Sequence, residues 1–231
     1  MISMINEIIV DGQWAMINDV DTDLLLWLNS AHNAFFDVFM MLFTGKWIWI
    51  PMYLSLAYLL LKNMTAKQAM MCIVAIALVI VVTDQMSSSL IRHAVGRLRP
   101  ANLENPISDM VHIVDGYRGG RYGFPSSHAA NSFGLVFFLY FLMRRSPLPA
   151  FMMVWAIVNC YSRIYLGVHY PGDILCGALV GLLGATIVWL IYRRLTKQEA
   201  LSEVRQWWVP IVVCLLTIVG ISLYAYYSIQ I

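Results

Sequence analysis

Residues 174–192 read ILCGALVGLLGATIVWLIY, a run without a single charged side chain. A helix needs about 20 mostly apolar residues to cross the hydrocarbon core of a bilayer, and this run is long enough. The whole chain has the same character, because 60% of its 231 residues are apolar, 12% are charged and the mean hydropathy is +0.70. Soluble domains carry about twice that share of charge, which excludes a water-soluble fold. The composition predicts an all-α integral membrane protein.

Six apolar stretches predict six transmembrane helices. They cover residues 47–61, 66–91, 129–143, 148–165, 174–192 and 207–227. Upstream, residues 23–43 are apolar but interrupted by polar side chains, which are costly in hydrocarbon. This stretch predicts a helix lying on the membrane surface, with a seventh span as the alternative. We therefore expect an N-terminal interfacial segment (1–46), a core (47–192), and a cytoplasmic linker with the sixth transmembrane helix (193–231).

The distribution of positive charge predicts the orientation of the spans. If six spans alternate, one side carries Lys62, Lys67, Arg144, Arg145, Arg193, Arg194, Lys197 and Arg205. The positive-inside rule makes that side cytoplasmic, so both termini and the 92–128 loop face outward. Six arginines oppose the rule: Arg92, Arg97, Arg99, Arg118, Arg121 and Arg163. The formal net charge of +2 is too small to indicate binding of nucleic acid.

Three segments near these arginines carry residues suited to chemistry. They read RHAVGRLRP (92–100), FPSSH (124–128) and SRIYLGVHYPGD (162–173). All three fall at the outer face on the predicted topology, so segments that are distant in sequence can meet in space. The planar guanidinium fork of arginine suits phosphate, which predicts an anion site where they meet.

The second segment predicts the start of a helix that binds an anion. Ser126 is a suitable N-cap, and Ser127 would begin the first turn, whose free N–H groups point outward. His128 would stand beside the anion, and a phosphate would favour its protonated form. A protonated histidine next to a phosphate ester can act as a general acid.

The third segment predicts a nucleophile. Asp173 falls in the first turn of a helix opened by Pro171, from where its carboxylate can reach back to His169. A carboxylate on one ring nitrogen sets the tautomer and makes the other nitrogen more nucleophilic. Arg163, at the end of the preceding span, would add positive charge to the same pocket.

Together these segments resemble the signature of the type 2 phosphatidic acid phosphatase (PAP2) superfamily, K-x6-R-P, P-S-G-H and S-R-x5-H-x3-D. The resemblance spans roughly residues 47–192 and implies a six-helix PAP2/haloperoxidase-like bundle and a phosphatase core. It also implies hydrolysis through a phosphohistidine without metal or cofactor. Carried over by position, His169 is the nucleophile, Asp173 orients it and His128 protonates the leaving group. The phosphate would be held by Arg92, Arg99, Arg163 and the helix start at Ser126 and Ser127.

The sequence departs from this signature at two positions and leaves other roles open. Arg92 stands where the signature has Lys, and Ser127 where it has Gly. Asp84 and Ser88 fall on one helical face with Arg92, so Asp84 could support that arginine or bond to a neighbouring helix. Asn159, four residues before Arg163, has the same two interpretations. We take His32, His93 and His112 as surface residues.

The resemblance implies an enzyme that hydrolyses a lipid phosphate or diphosphate. The predicted topology, with the site facing outward, predicts the periplasmic face of a bacterial inner membrane as its location. Undecaprenyl diphosphate, phosphatidylglycerophosphate, phosphatidate and lipid A phosphates all fit, and the sequence does not distinguish among them or reveal an oligomeric state. Two alternatives are a vanadate-dependent haloperoxidase-like enzyme, whose anion pocket is related, and an inactive lipid-binding or transport protein. The retained histidines and Asp173 argue against the second alternative.

Overall fold

A computed structural model describes residues 18–230, which are mostly helical. The helices are α1 (18–29), α2 (Ala34–Phe43), α3 (Ile50–Asn63), α4 (Ala66–Asp84), α5 (Arg92–Val95), α6 (Ser127–Met143), α7 (Leu148–Tyr165), α8 (Pro171–Thr196) and α9 (Trp208–Ser228). A π-helix, Gln85–Ile91, joins α4 to α5. Over the same residues, strand-like pairing is limited to one bridge between Leu98 and Tyr122. The all-α prediction is confirmed for this part of the chain.

Each of the six predicted spans overlaps one of these helices, and the span 66–91 continues from α4 through the π-helix. Three helices are long and apolar enough to cross a membrane, namely Ala66–Val95, Pro171–Thr196 and Trp208–Ser228. The pair Ala34–Phe43 and Lys46–Asn63 would make a fourth span together, although the two are bent by 66°. Helix α6 is apolar but has only 17 residues. The chain is therefore an integral membrane protein with three or four spans by these criteria, and the count of six stays a prediction.

The N-terminal stretch 23–43 differs from the single helix expected. It is divided between α1 and α2, because residues 30–33 leave the helical conformation. Asn33 begins the second helix as its N-cap and accepts a hydrogen bond from the backbone N–H of Phe36 at 2.9 Å. The polar residues that interrupt the apolar pattern thus form a turn. The surface location of this stretch stays a prediction, and residues 1–17 of the predicted N-terminal segment (1–46) lie outside those described.

Close packing of α6 against α8 forms the centre of the bundle. Small residues on α8 face α6, and a Cβ atom added at Gly181 would lie 2.6 Å from the Ala130 carbonyl oxygen and 2.8 Å from the Gly134 nitrogen. Only glycine allows the two backbones this approach. The contact aligns the N-termini of both helices, where the Ser126 N–H donates to the Asp173 carbonyl oxygen at 3.0 Å.

The loop between α5 and α6 is fastened to the same end of the bundle. The Ala101 N–H donates to the Gly167 carbonyl oxygen at 2.9 Å, which ties the loop to the turn between α7 and α8. Within the loop, the Gly123 N–H donates to the Arg97 carbonyl oxygen at 2.9 Å. All three motif segments therefore lie at one end of the molecule.

Candidate active site

The His169 imidazole lies in the short turn between α7 and α8 with 1% of its surface exposed. Its Nδ1 lies 3.2 Å from Oδ2 of Asp173, and its Nε2 lies 3.2 Å from Nη1 of Arg99. Because a guanidinium can only donate, Nε2 is the acceptor and Nδ1 carries the proton that Asp173 accepts. This tautomer leaves the lone pair on Nε2, the atom nearest to the arginine cluster.

Gly123 makes room for the histidine–aspartate pair. A Cβ atom at this position would lie 2.9 Å from Oδ2 of Asp173 and 3.5 Å from Nδ1 of His169. The Asp173 carboxylate also accepts the N–H of Tyr170 at 3.0 Å, so it reaches back over the start of α8 as a capping box does. These contacts fix the side chain that orients the histidine.

Burial and nearby positive charge keep the histidine neutral. Burial lowers the pKa of the His169 imidazole well below its usual range. The guanidinium groups of Arg99, Arg163 and Arg92 lower this pKa further. At neutral pH the ring is therefore the unprotonated form that a nucleophile requires.

Arg99 lies at the centre of a cluster of like charges. Burial, followed by the charges of Arg163 and Arg92, lowers the pKa of the Arg99 guanidinium to about 10. The group still carries its charge at neutral pH, but its neighbours disfavour that charge. A bound anion relieves this repulsion, so the cluster is arranged to receive one.

Arg163 enters the cluster from the last turn of α7 and is 2% exposed. It donates to the Thr44 hydroxyl at 2.7 Å and to the Tyr117 hydroxyl at 3.0 Å. Among the described residues no carboxylate lies within ion-pair distance of it. Hydroxyl groups position this guanidinium without neutralising it, which leaves its charge available to a ligand.

The start of α6 lies beside the arginine cluster. Ser126 is the N-cap and accepts from the Ala129 N–H at 3.4 Å, as the sequence predicted. Arg92 donates to the Pro125 carbonyl oxygen at 3.1 Å and to the Ser127 hydroxyl at 2.5 Å. The structure thus brings every predicted phosphate-binding residue to this end of the bundle.

His128 stands in the first turn of α6, half-buried. It is close enough to the His169, Arg99 and Arg163 side chains for their charges to interact. It also lines a cavity of 510 Å³ between α3, α4, α6 and α7. The two histidines therefore lie at the same end of the molecule, near the same arginines.

Sequence reasoning assigned no role to Arg97, although it lies within the first motif. Its Nη1 is 3.1 Å from Oδ1 of Asp173, and its guanidinium carbon lies 3.8 Å from the centre of the Tyr170 ring. The sequence feature that could have pointed to Arg97 is its place among the six arginines that oppose the positive-inside rule. The structure places it behind the His169–Asp173 pair, where it contacts Asp173 directly.

The remaining candidates have contacts that the sequence left open. Asp84 accepts from the Ser88 hydroxyl and makes no ion pair with Arg92, although the two are close enough for their charges to interact. Asn159 donates to the Ser132 hydroxyl on α6 at 2.8 Å, a bond to a neighbouring helix. His93 is exposed.

His112 is not a simple surface residue. It is half-buried, its Nε2 lies 2.8 Å from Oδ1 of Asp37, and its ring stacks on His32 at 3.7 Å. The expectation that it lies free on the surface differs from this structure, because the loop before α6 folds back onto α2. The sequence offered no spacing that links these residues.

Comparison with known proteins identifies the class. The family model of the PAP2 superfamily matches residues 68–197, more than half of the chain. The chain belongs to the PAP2 superfamily and is a phosphoric ester hydrolase of that type.

Particular relatives are also similar to this chain. It is 49% identical over 217 residues to "Lipid A 4'-phosphatase" of Bacteroides thetaiotaomicron, covering 90% of this chain and 96% of that protein. A protein of the same name from Porphyromonas gingivalis is 35% identical over 178 residues, covering 76% of this chain and 74% of that protein. The crystal structure of Aquifex aeolicus LpxE has the same fold, with a TM-score of 0.53 and 24% identity over 72% of this chain and 93% of that one.

Proposed function

We propose that this lipid phosphatase removes the 4'-phosphate of lipid A at the periplasmic face of a bacterial inner membrane. The observation that carries the chemistry is the buried His169, held between the Asp173 carboxylate and the Arg99 guanidinium. The choice of lipid is supported by the names of the two relatives above. The same names favour a phosphatase over the haloperoxidase and inactive lipid-binding alternatives.

In the proposed mechanism, Nε2 of His169 attacks phosphorus as the ester P–O bond breaks. His128 gives its proton to the departing oxygen, and Asp173 stabilises the charge that develops on the attacking ring. Water then attacks the phosphohistidine while His128 takes back a proton, which breaks the P–N bond and releases phosphate. Such an in-line displacement needs mainly positioning and charge stabilisation.

The arginine cluster would hold the phosphoryl oxygens. Arg99 and Arg163 are close enough to both histidines for their charges to interact, and Arg92 donates to the Ser127 hydroxyl at the start of α6. The N–H groups at the start of α6 add partial positive charge on the same side. A phosphate there also favours the protonated form of His128 that the first step requires.

The cavity beside His128 suits the apolar part of a lipid substrate. Its 510 Å³ lie within the range of about 300–1,000 Å³ typical of ligand pockets. Its walls are largely apolar, formed by residues such as Leu56 of α3 and Ile76 of α4. The polar and charged lining residues are Thr44, Lys46, His128, Asn131, Ser132 and Asn159. We infer that one acyl chain enters between α3 and α4 while the phosphate stays at the arginines.

A panel of four lipids tests this proposal. Phosphate release would be measured in detergent with EDTA, using lipid A, undecaprenyl diphosphate, phosphatidylglycerophosphate and phosphatidate. We expect the highest kcat/KM with lipid A, no effect of EDTA, and nearly complete loss of activity in His169→Ala and His128→Ala. His93→Ala, an exposed histidine outside the site, is the matched control. Parent-like activity in His169→Ala, or a clear preference for another lipid, would contradict the proposal.

We also propose the domain arrangement expected from the sequence, with a catalytic core over 47–192 and a cytoplasmic linker and final helix over 193–231. Residues 1–46 precede the core. Contacts from α1 and α2 to the core support treating this N-terminal segment as part of the working enzyme.

A further inference from the structure

Helix α1 spans the two ends of the turn that carries His169. Near its C-terminus, Asn29 donates to the Tyr165 carbonyl oxygen at 2.7 Å and to that of Ile164 at 3.2 Å, so it caps the end of α7. Near its other end, Asp21 accepts the Gly172 N–H at 2.7 Å, at the start of α8. The helix is thus bonded on both sides of the segment that contains His169.

The same Asp21 side chain reaches the ion pair behind the site. Its Oδ2 lies 2.7 Å from Nη1 of Arg97, and that same Nη1 lies 3.1 Å from Oδ1 of Asp173. The side chains of Asp21 and Arg97 are 11% and 20% exposed. One guanidinium nitrogen therefore connects a carboxylate of α1 to the carboxylate that contacts His169.

Gly172 permits this approach. A Cβ atom there would lie 2.7 Å from Oδ2 of Asp21, closer than such atoms come in real structures. The Tyr170 ring supports Arg97 from one face, at 3.8 Å. The position of the Asp21 carboxylate is set by these neighbours and does not depend on a mobile surface contact.

We propose that Asp21 is a positioning residue of the active site, which holds Arg97 against Asp173 and thereby orients His169. This inference rests on the proposed function, since it takes His169 as the nucleophile. Asp21 lies outside residues 68–197, the part that the family model matches. The N-terminal helix would thus be a component of the catalytic geometry.

The physical reason is the division of one positive charge between two carboxylates. With Asp21 present, Arg97 neutralises Asp173 only in part, so Asp173 keeps negative charge for the Nδ1 proton of His169. Without Asp21, Arg97 pairs with Asp173 alone. The other charged or titratable groups that face His169 are Arg92, Arg99, Arg163 and His128. None of these is a carboxylate that could replace the lost charge.

Asp21→Asn tests the proposal, because asparagine keeps the shape and an oxygen for the Gly172 N–H but loses the charge. We expect kcat on lipid A to fall about tenfold with KM within twofold, since the phosphate-binding arginines are untouched. Loss of a negative charge favours the neutral imidazole. The acid limb of the kcat/KM profile, corrected for the ionisation of the substrate, should therefore move to lower pH. A merely structural loss would not move this limb.

Asp23→Asn is the matched control, because Asp23 lies on the same helix and is exposed. We expect parent kinetics from it, and a thermal midpoint for Asp21→Asn close to that of the parent. Gly172→Ala, which displaces the Asp21 carboxylate, should reproduce the fall in kcat. A kcat for Asp21→Asn within twofold of the parent, with an unmoved acid limb, would overturn the proposal.

A substrate-free measurement separates this inference from the proposed function. The ¹⁵N resonances of the His169 ring, assigned by their loss in His169→Ala, report its tautomer and titration directly. We expect Asp21→Asn to shift them and Asp23→Asn to leave them unchanged. If the parent hydrolysed none of the four lipids while this shift occurred, the proposed function would fail and the positioning role would stand. Unshifted resonances in Asp21→Asn would overturn the positioning role itself.

Discussion

At the scale of single residues, the two departures from the family signature contact each other. Arg92 replaces Lys, Ser127 replaces Gly, and the guanidinium donates to the hydroxyl. A lysine ammonium presents no planar fork that could reach both this hydroxyl and the Pro125 carbonyl oxygen. The two substitutions are therefore parts of one arrangement.

We predict that this pair is energetically coupled. Arg92→Lys and Ser127→Gly should each lower kcat/KM by about tenfold, and the double variant should recover most of the loss, a coupling of about 2 kcal/mol. The measurement is a double-mutant cycle on phosphate release. If the losses in kcat/KM of the two single variants simply added in the double variant, the Arg92–Ser127 contact would make no contribution to activity.

At the scale of elements, apolar runs in the sequence predicted the helices, and local capping and proline residues predicted where some of them begin. The Ser126 N-cap and the Pro171 helix start were predictable, because capping and proline geometry act within one turn. The sequence predicted one surface helix over residues 23–43, whereas the structure has a turn between α1 and α2. The polar residues of this stretch did not reveal the turn, because composition alone does not distinguish a surface helix from a turn. The π-helix before Arg92 has no local signature in the sequence and changes which residues share a face.

We predict that the α6–α8 contact supports both stability and catalysis. In Gly181→Ala, the added methyl group meets backbone atoms of α6, so the helices must separate at a cost of about 1–3 kcal/mol. The thermal midpoint in detergent and kcat should both fall, because the helix starts that carry His128 and Asp173 shift apart. Gly220→Ala on α9 is the control, since nothing lies within 4 Å of its added carbon. Equal midpoints for both variants would contradict this account.

At the scale of the whole molecule, the positive-inside rule predicts which face carries the site. Leu103, in the loop at the site end, and Leu195, near the end of α8, are each 74% exposed. In spheroplasts, a membrane-impermeant maleimide should label Leu103→Cys and not Leu195→Cys. Disruption of the membrane should expose both. The parent chain measures the background from its own cysteines, and the reverse labelling pattern would place the site in the cytoplasm.

The sequence by itself determined the membrane class, the helical stretches and the three motifs, because each depends on composition or on spacing within a short segment. It also predicted a site made of His169, Asp173, His128 and three arginines (Arg92, Arg99 and Arg163), since the motif spacing is specific. Only the tertiary structure decided that Arg97 and Asp21 stand behind Asp173, and that Arg92 meets Ser127. Such contacts join residues far apart in the chain, and no local pattern records the packing that brings them together.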